Sequence, residues 1–131
     1  MTSASLVLAD TSVWVDYFRR RASPSKPAMN VLLRTNRVAM AGPVLAEILT
    51  GARDPEHERF LKSHLDALPW LDAPRSVWEL AGGLGAKLRR QGVTLPASDL
   101  QIAAIASFHR VAVYTIDEHF RRVPGLALYA P

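Results

Sequence analysis

Four acidic residues stand in settings that do not suit a charge: Asp10, Glu47, Asp99 and Asp117. Asp10 closes the apolar run Leu6-Val7-Leu8-Ala9, and Glu47 is flanked by Leu45, Ala46, Ile48 and Leu49. Asp99 leads into a stretch of alanine and isoleucine, and Asp117 follows Tyr114-Thr115-Ile116. No lysine or arginine lies within three residues of Asp10, Glu47 or Asp99. A carboxylate among apolar neighbours needs a partner. Carboxylates brought together raise one another's pKa, and a divalent cation is the usual relief. Oxygen ligands without His or Cys favour Mg²⁺, for which Mn²⁺ can substitute, over Zn²⁺. Such an ion can polarise a phosphodiester, activate water and stabilise a leaving oxygen. Thr11, Ser12 and Thr115 are placed to steady the carboxylates or to hold waters beside them.

These side chains meet only if the backbone delivers them to one place. Leu6 to Ala9 reads as a strand buried on both faces. Asp10-Thr11-Ser12 ends it and favours a helix start, and Val13 to Arg20 comes next with Trp14, Tyr17 and Phe18 on one stripe. A helix over 25–34 turns Met29, Leu32 and Leu33 inward, toward the core or a helix-binding groove. Val38 to Ala41 is a second strand, and Gly42-Pro43 opens a helix from Val44 to Thr50. The pattern then predicts a helix from Asp54 to Leu68 with Phe60, Leu61, His64, Leu65 and Leu68 on one face. A short edge strand succeeds it over Pro69-Trp70-Leu71. A helix from Pro74 to about Arg90 comes next, weakened by Gly82, Gly83 and Gly85 by about 1 kcal/mol each. The buried helix from Asp99 to His109, a strand over 111–116, a helical turn at 117–122 and a last strand over Leu126–Tyr129 complete the chain. Strands alternating with helices indicate a parallel sheet covered on both sides. Functional residues of such a sheet gather at the carboxyl ends of its strands, near the switch point in strand order. Asp10 and Asp117 fall just beyond such an end, Glu47 one turn into the helix after the second strand, and Asp99 at the first turn of the helix that leads into the fourth strand.

Each acid also has a plainer explanation. Asp10 and Asp117 could cap the helix or turn next in the chain, Asp99 suits a helix start, and Glu47 could pair with a distant arginine. These explanations must coincide four times to account for the whole pattern. The rest of the composition frames the choice. With 131 residues, 49% hydrophobic and 21% charged, the chain suits one globular domain over 1–131. It has no cysteine, which excludes disulfides and thiolate metal sites. No apolar stretch reaches the roughly 20 residues of a membrane span, so a cytoplasmic protein is expected. Thirteen of the sixteen basic residues are arginine, and the net charge is +4. Setting the four acids aside leaves sixteen basic against eight acidic residues, a +8 shell suited to a polyanion such as RNA. The four histidines lack metal-ligand spacing and read as surface or core residues. Gly82-Gly83-Leu84-Gly85 comes after a helix rather than a strand and fits no phosphate loop. A phosphoacceptor of the response-regulator kind would want a lysine where Asp117 stands.

Leu8-Ala9-Asp10-Thr11-Ser12-Val13-Trp14 resembles the opening motif of PIN-domain proteins, in particular VapC-type toxins of bacterial toxin–antitoxin pairs. Pro43-Val44-Leu45-Ala46-Glu47 is similar to the second motif, Leu95-Pro96-Ala97-Ser98-Asp99 to the third and Thr115-Ile116-Asp117-Glu118-His119-Phe120 to the fourth. The likeness runs from Leu6 to about Leu128. It implies a three-layer α/β/α domain with a parallel sheet of about five strands. It also implies a Mg²⁺- or Mn²⁺-dependent endoribonuclease acting on transfer or ribosomal RNA, a homodimer, and a cognate VapB-type antitoxin whose tail blocks the acids. Asp10, Glu47, Asp99 and Asp117 match the family's acidic quartet; Thr11 or Ser12 matches the polar residue after the first acid, and Thr115 the small polar residue of the fourth motif. Glu118-His119 departs from the family, which often has a basic residue and a second acid there, so Glu118 is a further candidate for the fourth acid. The alternative function is a PIN-like module that grips RNA or a protein without cutting.

Overall fold

A computed structural model describes residues 5–19 and 22–131. Arg20 and Arg21, the rest of a basic run that begins at Arg19, lie outside the described residues, as does the predicted last residue of the first helix. Strand β1 (Val7–Ala9) is fully buried, as its unbroken apolar sequence requires. It pairs in parallel with β2 (Val38–Ala41) on one side and with β4 (Ala112–Tyr114) on the other, and β3 (Trp70–Leu71) lies beyond β2. Successive strand residues face opposite sides, so the burial of every residue in β1 and β2 means that both faces of the sheet are covered. The order β3-β2-β1-β4 contains one reversal. The chain builds outward from β1 to β3, then returns to the far side of β1, and the reversal falls between β1 and β4.

The helices are α1 (Thr11–Arg19), α2 (Lys26–Arg34), α3 (Gly42–Thr50), α4 (Pro55–Leu65), α5 (Arg75–Arg90) and α6 (Ala97–His109). A 3₁₀ turn (Glu118–Arg122) comes after β4. Trp14, Met29, Leu32, Met40, Ile102, Ile105 and Phe120 fill the core, so Met29 and Leu32 are interior residues and not the wall of a groove. Residues Ile102 to Ala106 are all buried, which fits an α6 apolar on every side. Helix α5 packs against α6 at Gly85, where a Cβ would stand 2.7 Å from Leu100 Cδ1. None of the described helices is long and apolar enough to cross a membrane.

The structure departs from the expected pattern in three places. The sheet has four strands, because Leu126–Tyr129 forms only an isolated bridge, Val113 with Leu128. Two backbone bonds hold that segment, Val113 N–H to Ala127 O and Tyr129 N–H to Val113 O, and the next position in the ladder is Pro131, which has no N–H to extend it. Helix α4 stops at Leu65 rather than Leu68, since Leu68 precedes Pro69 and is pushed out of the helical region. Its start is capped by Asp54, which accepts from His57 N–H at 2.7 Å. Phe60 is half exposed, its ring tilted beside His64 and edge-on to Phe18 instead of joining Leu61 and Leu65 inside.

Candidate metal centre

Asp10 leaves β1 with its N–H still in the ladder, donating to Tyr114 O at 3.0 Å. Its carbonyl then accepts from Trp14 N–H, so the residue also starts α1. The carboxyl is 3% exposed. Oδ1 accepts from Ser12 Oγ at 2.5 Å and Val13 N–H at 3.3 Å, and Oδ2 accepts from Thr115 Oγ1 at 2.8 Å. Burial pushes this carboxyl above the ordinary carboxylate range, the three hydrogen bonds work against that shift, and the charge of Asp99 adds to it. The capping explanation and the cluster explanation are therefore both true of Asp10.

Thr115 ties the two central strand ends together. While its hydroxyl donates to Asp10, its oxygen accepts from Asp117 N–H at 2.9 Å, and Ser12 Oγ accepts from Ile116 N–H at 3.3 Å. Asp117 caps the 3₁₀ turn through His119 N–H at 3.0 Å. That turn brings the His119 ring back, so that Nδ1 lies 2.9 Å from Asp99 Oδ2 and 3.2 Å from Asp117 Oδ1. Asp99 reaches the same point from the first turn of α6. Burial is the main cause raising the Asp99 carboxyl; the hydrogen bond and charge of His119 lower it, while the charges of Asp117 and Glu47 raise it.

Glu47 projects from α3 and accepts from Thr11 Oγ1 at 2.7 Å. Thr11 and Ser12 thus serve different acids. Asp99 is the meeting point, since it feels the charges of Asp10, Glu47 and Asp117. Among the described residues none of the four acids has a lysine or arginine ion-pair partner, so the plainer alternative of a distant arginine paired with Glu47 is not met there. Glu118 stands apart, with its side chain 81% exposed and its nearest charge Arg121 Nε at 3.5 Å. His119, read from sequence as an ordinary surface or core histidine, sits instead between two of the acids. Its signal was position alone, two residues past a turn-capping aspartate.

The PIN domain family matches residues 7–126. Ribonuclease VapC11 of Mycobacterium tuberculosis is 34% identical over 119 residues, covering 88% of this chain and 89% of that protein. This chain is a VapC-type PIN domain. The crystal structure of VapBC2 from Rickettsia felis, bound to a DNA fragment from their promoter, superposes with a TM-score of 0.81 at 23% identity, covering 95% of this chain and 97% of that one. A toxin–antitoxin complex from Klebsiella pneumoniae gives 0.71 at 22% identity, covering 91% and 93%. Both share the fold.

The donor set of this VapC-type PIN domain suits a hard divalent cation. One donor atom each from Asp99, Asp117 and His119 lies within 4.8 Å of the others; Asp10 and Glu47 stand outside that group but near enough for charge to act between each of them and Asp99. Four carboxylates that, among the described residues, pair with no lysine or arginine form a concentrated negative field that an ion relieves. Basic residues flank that field instead of neutralising it. A groove of about 400 Å³ runs from Glu47 past Val15, Phe18 and Leu61 to Arg19 and Arg53. A second, of about 580 Å³, runs from Asp117 past Ile116, Leu128 and Tyr129 to Arg121.

Proposed function

We propose that this VapC-type PIN domain is a metal-dependent endoribonuclease, the toxin of a toxin–antitoxin pair, which hydrolyses phosphodiester bonds in structured RNA. The meeting of Asp99 and Asp117 within 4.8 Å, with Asp10 and Glu47 acting on Asp99 by charge and no lysine or arginine paired with any of the four among the described residues, carries the reading. Asp10, Asp99 and Asp117 would hold Mg²⁺, or Mn²⁺ in its place, with Glu47 as a further ligand or as base to the attacking water. When bound, the ion supplies Lewis acidity toward the phosphodiester and its water. The protein's own share is positional. Ser12 and Thr115 hold the buried Asp10 in one orientation, and Thr11 aims Glu47. Arg19, Arg53 and Arg121 in the flanking grooves would grip RNA backbone on either side of the acids.

The kinship with VapC11 and the likeness to toxin–antitoxin complexes support a VapB-type antitoxin as partner. The groove lined by Val15, Phe18, Ile48 and Leu61 together with Arg19, Arg53 and Glu47 mixes apolar and charged side chains, which suits an amphipathic tail laid beside the acids. A homodimer completes the proposal, and half-exposed Trp70, Trp78 and Phe108 offer apolar surface for one. The decisive experiment is cleavage of transfer and ribosomal RNA by purified protein in Mg²⁺ or Mn²⁺, with Asp99→Asn as control. Asp99→Asn should lose at least ~100-fold in rate while melting cooperatively. RNA that is bound but never cut, with either ion, would make the domain a binding module.

A further inference from the structure

We propose that His119 Nδ1 is itself a ligand of the divalent ion, which gives this centre a nitrogen donor beside its carboxylates. The inference rests on the metal-dependent reading above and sharpens it. Three observations carry it. First, Nδ1 faces two acids from different elements at once, Asp99 Oδ2 of α6 at 2.9 Å and Asp117 Oδ1 at 3.2 Å. Neighbouring donors around an octahedral ion with bonds of ~2.1 Å are separated by about 3.0 Å, so Nδ1 already stands at the spacing of an adjacent ligand from each carboxylate, and the two carboxylate oxygens lie within 4.8 Å of each other. Second, one N–H carries a single proton and cannot serve both carboxylates well. An ion in the space they share would engage all three donors. Third, the turn that presents the ring also fixes one of its two acids. His119 N–H donates to Asp117 Oδ1, so the same turn that aims the carboxylate aims the imidazole.

A nitrogen donor changes which ions the centre prefers. Imidazole favours later first-row metals over Mg²⁺, whereas an all-oxygen site tolerates Mg²⁺ well. The preference for Mn²⁺ over Mg²⁺ should therefore fall by roughly tenfold in His119→Asp, which replaces nitrogen with oxygen. The simpler role is that of a protonated imidazole resting between the two acids, to be displaced when an ion arrives. It gives the same distances in the free protein but no metal–nitrogen bond.

Pulsed EPR of the full-length protein loaded with Mn²⁺, with calorimetric titration of Mn²⁺ and Mg²⁺ alongside, separates these. The expected result is strong ¹⁴N coupling of a directly bound imidazole, lost in both His119→Ala and His119→Asp while His119→Asp still binds Mn²⁺. If Mn²⁺ binds but no ¹⁴N coupling appears, or the coupling survives both substitutions, His119 is not a ligand and the carboxylate centre stands without it. If the wild-type protein binds no Mn²⁺ at all, this proposal and the metal-dependent reading fall together.

Discussion

Thr115 shows how much of the site hangs on one hydroxyl. It donates to Asp10 Oδ2 and accepts from Asp117 N–H, coupling the end of β1 to the turn after β4. Valine has the same shape and neither capacity. Thr115→Val leaves one carboxylate oxygen and one backbone N–H without their partner, at about 1–3 kcal/mol of stability. Misaligned acids should also lower cleavage by roughly 10–100-fold. Urea unfolding and single-turnover cleavage measure the two effects, and Thr115→Ser should restore most of both. Wild-type cleavage by the valine variant would show that Asp10 needs no such support. Asp10 and Asp117 have a similar economy, because each caps the element next to it in the chain while facing the cluster. A capping residue has a side chain fixed by its own backbone, which suits it to hold a metal ligand steady.

At the scale of elements, α1 has two separate duties. Its first residues frame the acids through Thr11 and Ser12, while Val15 and Phe18, further along, meet Ile48 of α3 and Leu61 of α4 in a groove that ends at Glu47. Val15 is 40% exposed, so its substitution should spare the core. Val15→Asp sets a charge among the apolar side chains of that groove. It is expected to weaken binding of the cognate antitoxin by at least ~10-fold, measured by calorimetry on the purified pair. Equal affinity for both proteins would place the antitoxin elsewhere. Helix α5 acts on the site at one remove. Gly85 lets it approach Leu100, the neighbour of Asp99, so α6 sits where its first turn can reach the other acids.

For the whole molecule, the acids store a pH-dependent strain. Burial raises both Asp10 and Asp99, so the folded protein holds these protons more tightly than the unfolded chain does. Below the ordinary carboxylate range both states are protonated and the penalty is absent. As pH rises from there through the two raised values, the folded state must release protons that it favours, and stability is lost. In chelator, melting of the wild type should therefore fall over this window relative to an Asp10→Asn/Asp99→Asn double variant, by several degrees once both carboxylates are charged. Saturating Mn²⁺ should reverse the loss at neutral pH and do little at the acid end, where protons compete with it. A melting difference between the two proteins that does not change with pH would show that the carboxylates are not strained.

Much of this arrangement is written locally. Unbroken apolar runs mark β1 and β2 as buried strands, Asp54-Pro55 and Gly42-Pro43 mark helix starts, and the four acids are conspicuous because apolar neighbours surround them. Alternation of strand and helix even places Asp10 and Asp117 just past strand ends and Asp99 at a helix start. Other features depend on groups that are distant in sequence. Phe60 has the spacing of a core residue, but α4 packs through Leu61 and Leu65 and leaves it half exposed, edge-on to Phe18, 42 residues earlier. The role of His119 depends on α6 arriving beside the 3₁₀ turn, and no spacing within Asp117-Glu118-His119 reveals that Asp99 stands 2.9 Å away. Local sequence determines backbone preference and which faces avoid water, because those energies are set by near neighbours. Which charges meet is decided by the crossovers that stack one element on another, and that is where this chain acquires its centre.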